Sequence, residues 1–214
     1  MKAPPMTSLQ RVLTTLWHHE PDRVPCFLLV TSHGARSLGM SIKDYFAGSE
    51  TVVEGQLRMR ARYGHDCLYA FYYAPIEVEA WGGEVIYCDD GPPNSGEPFI
   101  GRFEDIARLE PPRVADCHCL AKVLRAIAQL KAQANGEAPI IGVVMSPFSV
   151  PVMQLGFDRY LELMHERPAL FERLMRINEE FCVAWANASF RPAPRPSAIS
   201  TRCRRRRLCR RNYI

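Results

Sequence analysis

The sequence predicts an α/β fold: the N-terminal portion of an incomplete (β/α)8 TIM barrel over residues 1–190, followed by a disordered basic tail over 191–214. Three observations carry this. Apolar runs fit for buried strands alternate with amphipathic helical segments, the order expected of βα units on a parallel sheet. Only three or so such runs occur before residue 190, short of the eight strands and roughly 250 residues of a closed barrel. Composition then breaks at Arg191: nine of the 27 basic residues lie from Arg191 onward with no acid, leaving 18 basic against 23 acidic residues before it. The body stands at −5 and the tail at +9, so the tail alone makes the chain formally basic.

The elements follow in order. Residues 7–18 predict a helix, with Thr7 or Ser8 as cap and Leu9, Val12, Leu13, Leu16 and Trp17 as its apolar stripe. Pro21-Asp22-Arg23 makes a turn. Val24 to Thr31 is a continuous apolar run, as in a strand buried on both faces. A short helix is expected at Ser41–Phe46 and a longer one from Glu50 to Tyr63, then a second strand at Cys67–Tyr72. Val78 to Cys88 predicts a hairpin turning at Gly82-Gly83. Residues 89–101 predict a loop, Glu104–Leu109 a short helix and Leu120–Ala134 an amphipathic one. Ala138 to Val144 is the third buried strand. Helices are expected at Pro147–Leu155, at Phe157–His165, and from Pro168 through Ala188, since proline suits a first helical position. Phe27–Val30, Cys67–Ala70 and Ile140–Val144 should be adjacent parallel core strands.

Composition excludes some classes. No stretch approaches about 18 apolar residues, so no membrane span is expected. Met1-Lys2-Ala3-Pro4-Pro5 lacks the apolar core of a secretory signal. The six body cysteines have irregular spacings, as buried free thiols of a reducing cytoplasm do. Ser32-His33-Gly34-Ala35-Arg36 after the first strand is no dinucleotide fingerprint. For the tail three readings stand: an arm for nucleic acid or membrane phosphate, a targeting segment, or coding out of frame. Its lack of lysine and its wealth of Pro, Ala, Ser and Cys favour the last.

Arg11-Val12-Leu13 with Glu20-Pro21-Asp22-Arg23-Val24-Pro25 resembles the opening of the uroporphyrinogen decarboxylase superfamily, which includes cobalamin-dependent methyltransferases. Tyr63-Gly64-His65-Asp66, Glu79 to Val85, Ser146-Pro147-Phe148-Ser149 and the stretch Met164 to Asn178 continue the resemblance. A shifted frame from Phe190 permits the string Ala-Gly-Ala-Thr-Ala-Ile-Gly-Tyr-Phe-Asp-Pro, which resembles the family's next strand. The resemblance implies a parent enzyme of tetrapyrrole decarboxylation, a lyase of porphyrin biosynthesis, or of corrinoid-dependent methyl transfer. It implies small-molecule tetrapyrrole or methylated substrates, or a corrinoid protein, as partners, and a cytoplasmic location. The decarboxylase's arginine-rich stretch has only Arg36 near its place here, and its central aspartate falls on or near Tyr73. The methyltransferase branch implies zinc held by a His-x-Cys pair and a later Cys, all beyond residue 190. This chain is therefore expected to hold no cofactor, and to be inactive alone. The alternatives are a nucleic-acid-binding or interaction protein acting through the arginine tail, and a half barrel that pairs with another chain.

Candidate site residues follow the strands, where barrel enzymes place functional groups. His33 follows the first strand and Tyr73 the second, as catalytic candidates. Ser146, Phe148 and Ser149 follow the third as substrate-binding candidates, where the amides of a helix beginning at Pro147 could hold an anion. Asp116-Cys117-His118-Cys119 has poor spacing for a tetrahedral metal site and reads as a surface loop and helix start. His18-His19, His65 and His165 read as structural or solvated, and Asp89-Asp90 as a turn.

Overall fold

The computed structural model describes residues 5–190; the arginine-rich tail and the expectation of its disorder lie outside them. The chain runs α1 (Ser8–Leu16), α2 (His33–Leu38), α3 (Ile42–Tyr45), α4 (Ser49–Tyr63), β1 (Leu68–Tyr69), α5 (Ile76–Ala80), β2 (Val85–Ile86) and β3 (Asn94–Ser95). Two 3-10 turns, Phe103–Arg108 and Val114–Asp116, lead into α6 (His118–Ala134), β4 (Ile140–Ile141), α7 (Val150–Leu155), α8 (Phe157–Glu166) and α9 (Pro168–Phe190). None of the described helices is long and apolar enough to cross a membrane.

Helices form where capping and periodicity agree. Thr7 starts α1 with a reciprocal box: its hydroxyl accepts the Gln10 N–H, and the Gln10 amide oxygen accepts the Thr7 N–H. Ser41 caps α3 by accepting the Asp44 N–H. Gly64 ends α4 with φ of 64°, a left-handed backbone that suits glycine. Helix α6 buries Leu120, Val123, Ala126, Leu130 and Ala134, a stripe at helical spacing, and packs beside α4.

The second and third expected strands do pair in parallel, with Leu68 opposite Ile140 and Tyr69 opposite Ile141. Each ladder is two residues long, shorter than its apolar run. The first expected strand is a correction: residues 24–31 form no ladder among the described residues. Their tie to the sheet is at Cys26, whose N–H donates to the Asp66 carboxylate (2.8 Å) and whose carbonyl accepts the Asp66 N–H (2.8 Å). Val24 is 83% exposed and Leu29 60%, because nothing described packs over their outer side. The hairpin is also corrected. Residues 76–80 are helical, and Val85 and Ile86 pair instead, antiparallel, with Ser95 and Asn94 inside the expected loop. Helix α2 was not foreseen, and α7 begins at Val150 rather than Pro147.

The motifs Arg11, Asp22-Arg23 and His65-Asp66 converge on one buried carboxylate. Asp66, wholly buried, accepts from Arg11 (2.6 Å), Arg23 (2.6 and 2.9 Å), the Ser8 hydroxyl (2.9 Å) and the Cys26 N–H. Arg11 also grips Asp22. Burial alone would raise the Asp66 carboxyl, but Cys26, Arg23, Ser8 and Arg11 together hold it below its ordinary range. This network sits before β1, at the N-terminal end of the strand, where barrel residues serve stability.

One close approach fixes the helical layer. The Tyr45 ring, fully buried, lies between Gly34 of α2 and Gly55 of α4. A Cβ at Gly34 would fall 2.1 Å from the Tyr45 hydroxyl, and one at Gly55 2.7 Å from its ring. The main core joins Tyr45 and Phe46 to Leu68, Leu120, Phe181 and Trp185; a second cluster centres on Ile106, Tyr160, Leu163 and Leu174.

Candidate functional site

The C-terminal ends of β1 and β4 point the chain into residues 70–75 and 142–149, which with residues 31–34 form the turns that a barrel would gather at its mouth. The sequence candidates fall among these turns, but they do not converge. No hydrogen bond or ring contact joins His33 to Tyr73 among the described residues. His33 opens α2, half-buried, with Nε2 2.9 Å from the Tyr63 hydroxyl.

Tyr73 is 1% exposed and turns toward α6. Its hydroxyl donates to Glu79 Oε2 (2.6 Å) and accepts from Lys122 Nζ (3.0 Å) and from the Tyr87 hydroxyl (3.1 Å). The Lys122 ammonium also lies 5.6 Å over the Tyr72 ring and 5.4 Å over the Tyr73 ring, within cation–π range. Burial pushes the Lys122 pKa down, against the pull of Glu79. Burial, then the Glu79 bond, drives the Tyr73 phenol far above its ordinary value. Tyr73 therefore stays a neutral donor in a satisfied network, and ionisation of its phenol is strongly opposed.

The amides at residues 148–150, near the anion cradle expected at Pro147, bond within their own turn. The Phe148 N–H is taken by the Ser146 hydroxyl (3.1 Å), and the Ser149 and Val150 N–H groups by the Ser146 carbonyl (2.8 and 3.1 Å). Ser149 makes no capping bond, and α7 holds proline in its first turn. Ser146 and Phe148 are exposed, and the Phe148 ring meets Tyr160 edge-on at 5.5 Å.

A shallow cleft of about 390 Å3 lies beside α5, lined by Glu79, Arg113, Asp116, Cys117, His118 and Cys119 among others. Its thiols are donors: Cys117 to the Arg113 carbonyl (3.3 Å) and Cys119 to the Ile76 carbonyl (3.7 Å). Burial lifts Cys119 to about 12, so it is a thiol rather than a thiolate ligand. Among the described residues no group of three or more His, Cys, Asp or Glu is placed to hold a metal ion. The His-x-Cys pair and later Cys that the resemblance implies for zinc fall beyond residue 190, outside the described residues.

Three polar residues escaped the sequence reading. Lys122 and Glu79 complete the Tyr73 network. Glu77, 1% exposed, accepts the Met145 N–H at 2.7 Å. Lys122 had a signal: it stands three after Cys119 and four before Ala126, on the buried side of α6.

Comparison with known proteins completes the description. The family model for uroporphyrinogen decarboxylase (URO-D) matches residues 7–192. A uroporphyrinogen decarboxylase of Bordetella petrii is 26% identical over 141 residues, 63% of this chain and 38% of that protein. A methyltransferase from Methanosarcina mazei superposes with a TM-score of 0.69 at 19% identity, over 86% of this chain and 56% of that one. The chain thus spans between about a third and little more than half of the relatives it matches.

Proposed function

Because this chain belongs to the uroporphyrinogen decarboxylase family, we propose that residues 7–190 furnish the first βα units of a barrel enzyme, and that its chemistry is corrinoid-dependent methyl transfer. Tetrapyrrole decarboxylation is the second reading. One observation favours the first: the turns 31–34, 70–75 and 142–149 contain no arginine or lysine. A tetrapyrrole bearing several carboxylates needs cationic hydrogen-bond donors around it. Among the described residues the one buried cation near these turns, Lys122, is engaged by Tyr73 and roofed by two rings. The likeness of the fold to a methyltransferase agrees with this reading, although fold alone does not choose a chemistry.

Residues 191–214 belong, on this proposal, to a different reading frame from the rest of the gene. The family match ends at residue 192, beside the break in composition. The nucleotide sequence tests both ideas. In another frame after codon 190 it should encode further βα units with a His-x-Cys pair and a later Cys. Continued βα units without those zinc ligands would remove the methyltransferase reading and leave decarboxylation. The purified chain, given uroporphyrinogen or a methylated corrinoid with a thiol acceptor, should turn over neither. Turnover by residues 1–214 alone would show that the described units suffice.

A further inference from the structure

The segment after β4 is held in an unusual way. Among the described residues, no hydrogen bond holds the backbone of Gly142, Val143 or Val144. The next fixed point is Met145, and both of its polar backbone groups are taken by side chains from other elements. Its N–H donates to Glu77 Oε1 of α5 at 2.7 Å. Its carbonyl accepts the Cys182 thiol of α9 at 3.3 Å. The Ser146–Ser149 turn begins at the very next residue, and its own bonds are internal.

Glu77 is buried to 1% exposure, and its second oxygen has no partner. The buried indole N–H of Trp185 has no partner within hydrogen-bond geometry either, yet it lies close enough to Glu77 to favour the charged carboxylate. An acid here is hard to explain as packing, since a buried polar atom left unpaired is costly. We propose that Glu77 is a positioning residue: its carboxyl, together with the Cys182 thiol, clamps the Met145 peptide and sets where the Ser146–Ser149 turn stands at the mouth. That this turn meets a ligand rests on the functional reading above; the clamp itself does not.

The clamp is sensitive to charge. Burial, opposed by the Met145 N–H and by the nearby Trp185 indole, lifts the Glu77 carboxyl to about 7. The titratable group that faces it is Cys182 of α9, and burial, then Glu77 itself, pushes that thiol up to about 12. No charged side chain contributes to the Glu77 shift. Cys182 therefore remains a donor while Glu77 gains charge above neutrality, and an ionised carboxylate in that place is drawn toward water.

Hydrogen exchange followed by mass spectrometry tests this on the full chain, using peptides covering 142–149 and a reference peptide from α6. In Glu77→Ala the 142–149 peptide should exchange about ten-fold faster relative to α6, the factor of one lost hydrogen bond. Glu77→Gln keeps an acceptor oxygen and should retain protection. In the native chain, protection of 142–149, corrected for intrinsic exchange, should fall as pH rises from about 5 to about 7.5; in Glu77→Gln it should not. Unchanged exchange in Glu77→Ala, or the same pH trend in Glu77→Gln as in the native chain, overturns the proposal. If Glu77→Ala does not fold, the comparison with Glu77→Gln decides. No activity is read, so a failed functional reading cannot be mistaken for a failed clamp.

Discussion

Two buried carboxyls, eleven residues apart in sequence, behave oppositely. Asp66 has donors on both oxygens, while Glu77 has one donor and an empty second oxygen. Removing the charge of Asp66 costs Arg11 one of its two carboxylate partners and leaves the half-exposed Arg23 to water, so Asp66→Asn should destabilise the fold by about 1–3 kcal/mol in urea unfolding. Its folded pKa is depressed, so the stability it contributes is present above the unfolded value and lost as pH falls through the folded one, below about pH 4. The Glu77 carboxyl is raised from 4.5 to about 7, so the folded state binds the extra proton and stability declines as pH climbs across that interval. The decline amounts to about 3 kcal/mol at 1.36 kcal/mol per pH unit. Glu77→Gln should therefore flatten the pH dependence of the urea midpoint and raise it at pH 8; a native-like slope in that variant would refute the assignment. Neither role was legible in the sequence. Asp66 stands in a turn-like Gly-His-Asp, and its partners Arg11 and Arg23 come from elsewhere in the chain. Glu77 lies in Ile-Glu-Val-Glu-Ala, whose alternation marks it as solvent-facing.

At the level of elements, the helices other than α2 and α5 were legible and the strands only in part. Helix α6 repeats its apolar face for 17 residues, and α1 and α3 carry hydroxyl caps, so local and tertiary preferences agree. The same alternation in 76–80 that hides Glu77 also mimics a strand, and the glycines after it mimic a hairpin turn. The two-residue stretch Asn94–Ser95, lying among prolines and glycines, has no strand character of its own and is a strand only through its partner. Gly55, in mid-helix, reads as a weakness of about 1 kcal/mol against alanine. The structure reverses that sign, because Tyr45 occupies the space where a Cβ would go. Gly34→Ala and Gly55→Ala should each lower stability by about 1–3 kcal/mol through overpacking. Adding Tyr45→Leu to Gly55→Ala should recover part of the loss, since the leucine vacates the ring's position. Additive losses in the double variant, measured by thermal unfolding, would show that the helices do not meet through that ring.

For the whole molecule, the apolar run 24–31 sets the behaviour. The sequence reading took it as a strand buried on both faces, and its composition supports that. Its surroundings do not, since among the described residues only the Asp66 side is covered. Phe27 at 43% and Leu29 at 60% exposure leave an apolar strip with free backbone groups, the arrangement that templates pairing with other chains. Leu29→Lys should keep the helical signal unchanged and reduce self-association, seen as a later elution and lower light scattering in size-exclusion chromatography. Identical association in the variant would place the sticky surface elsewhere. The strip also carries a consequence for how the protein is measured. A face that recruits a second molecule makes every observed property depend on how many molecules share the volume. A melting temperature, a yield or a half-life for this chain then describes the dose as much as the fold, and only a dilution series separates the two.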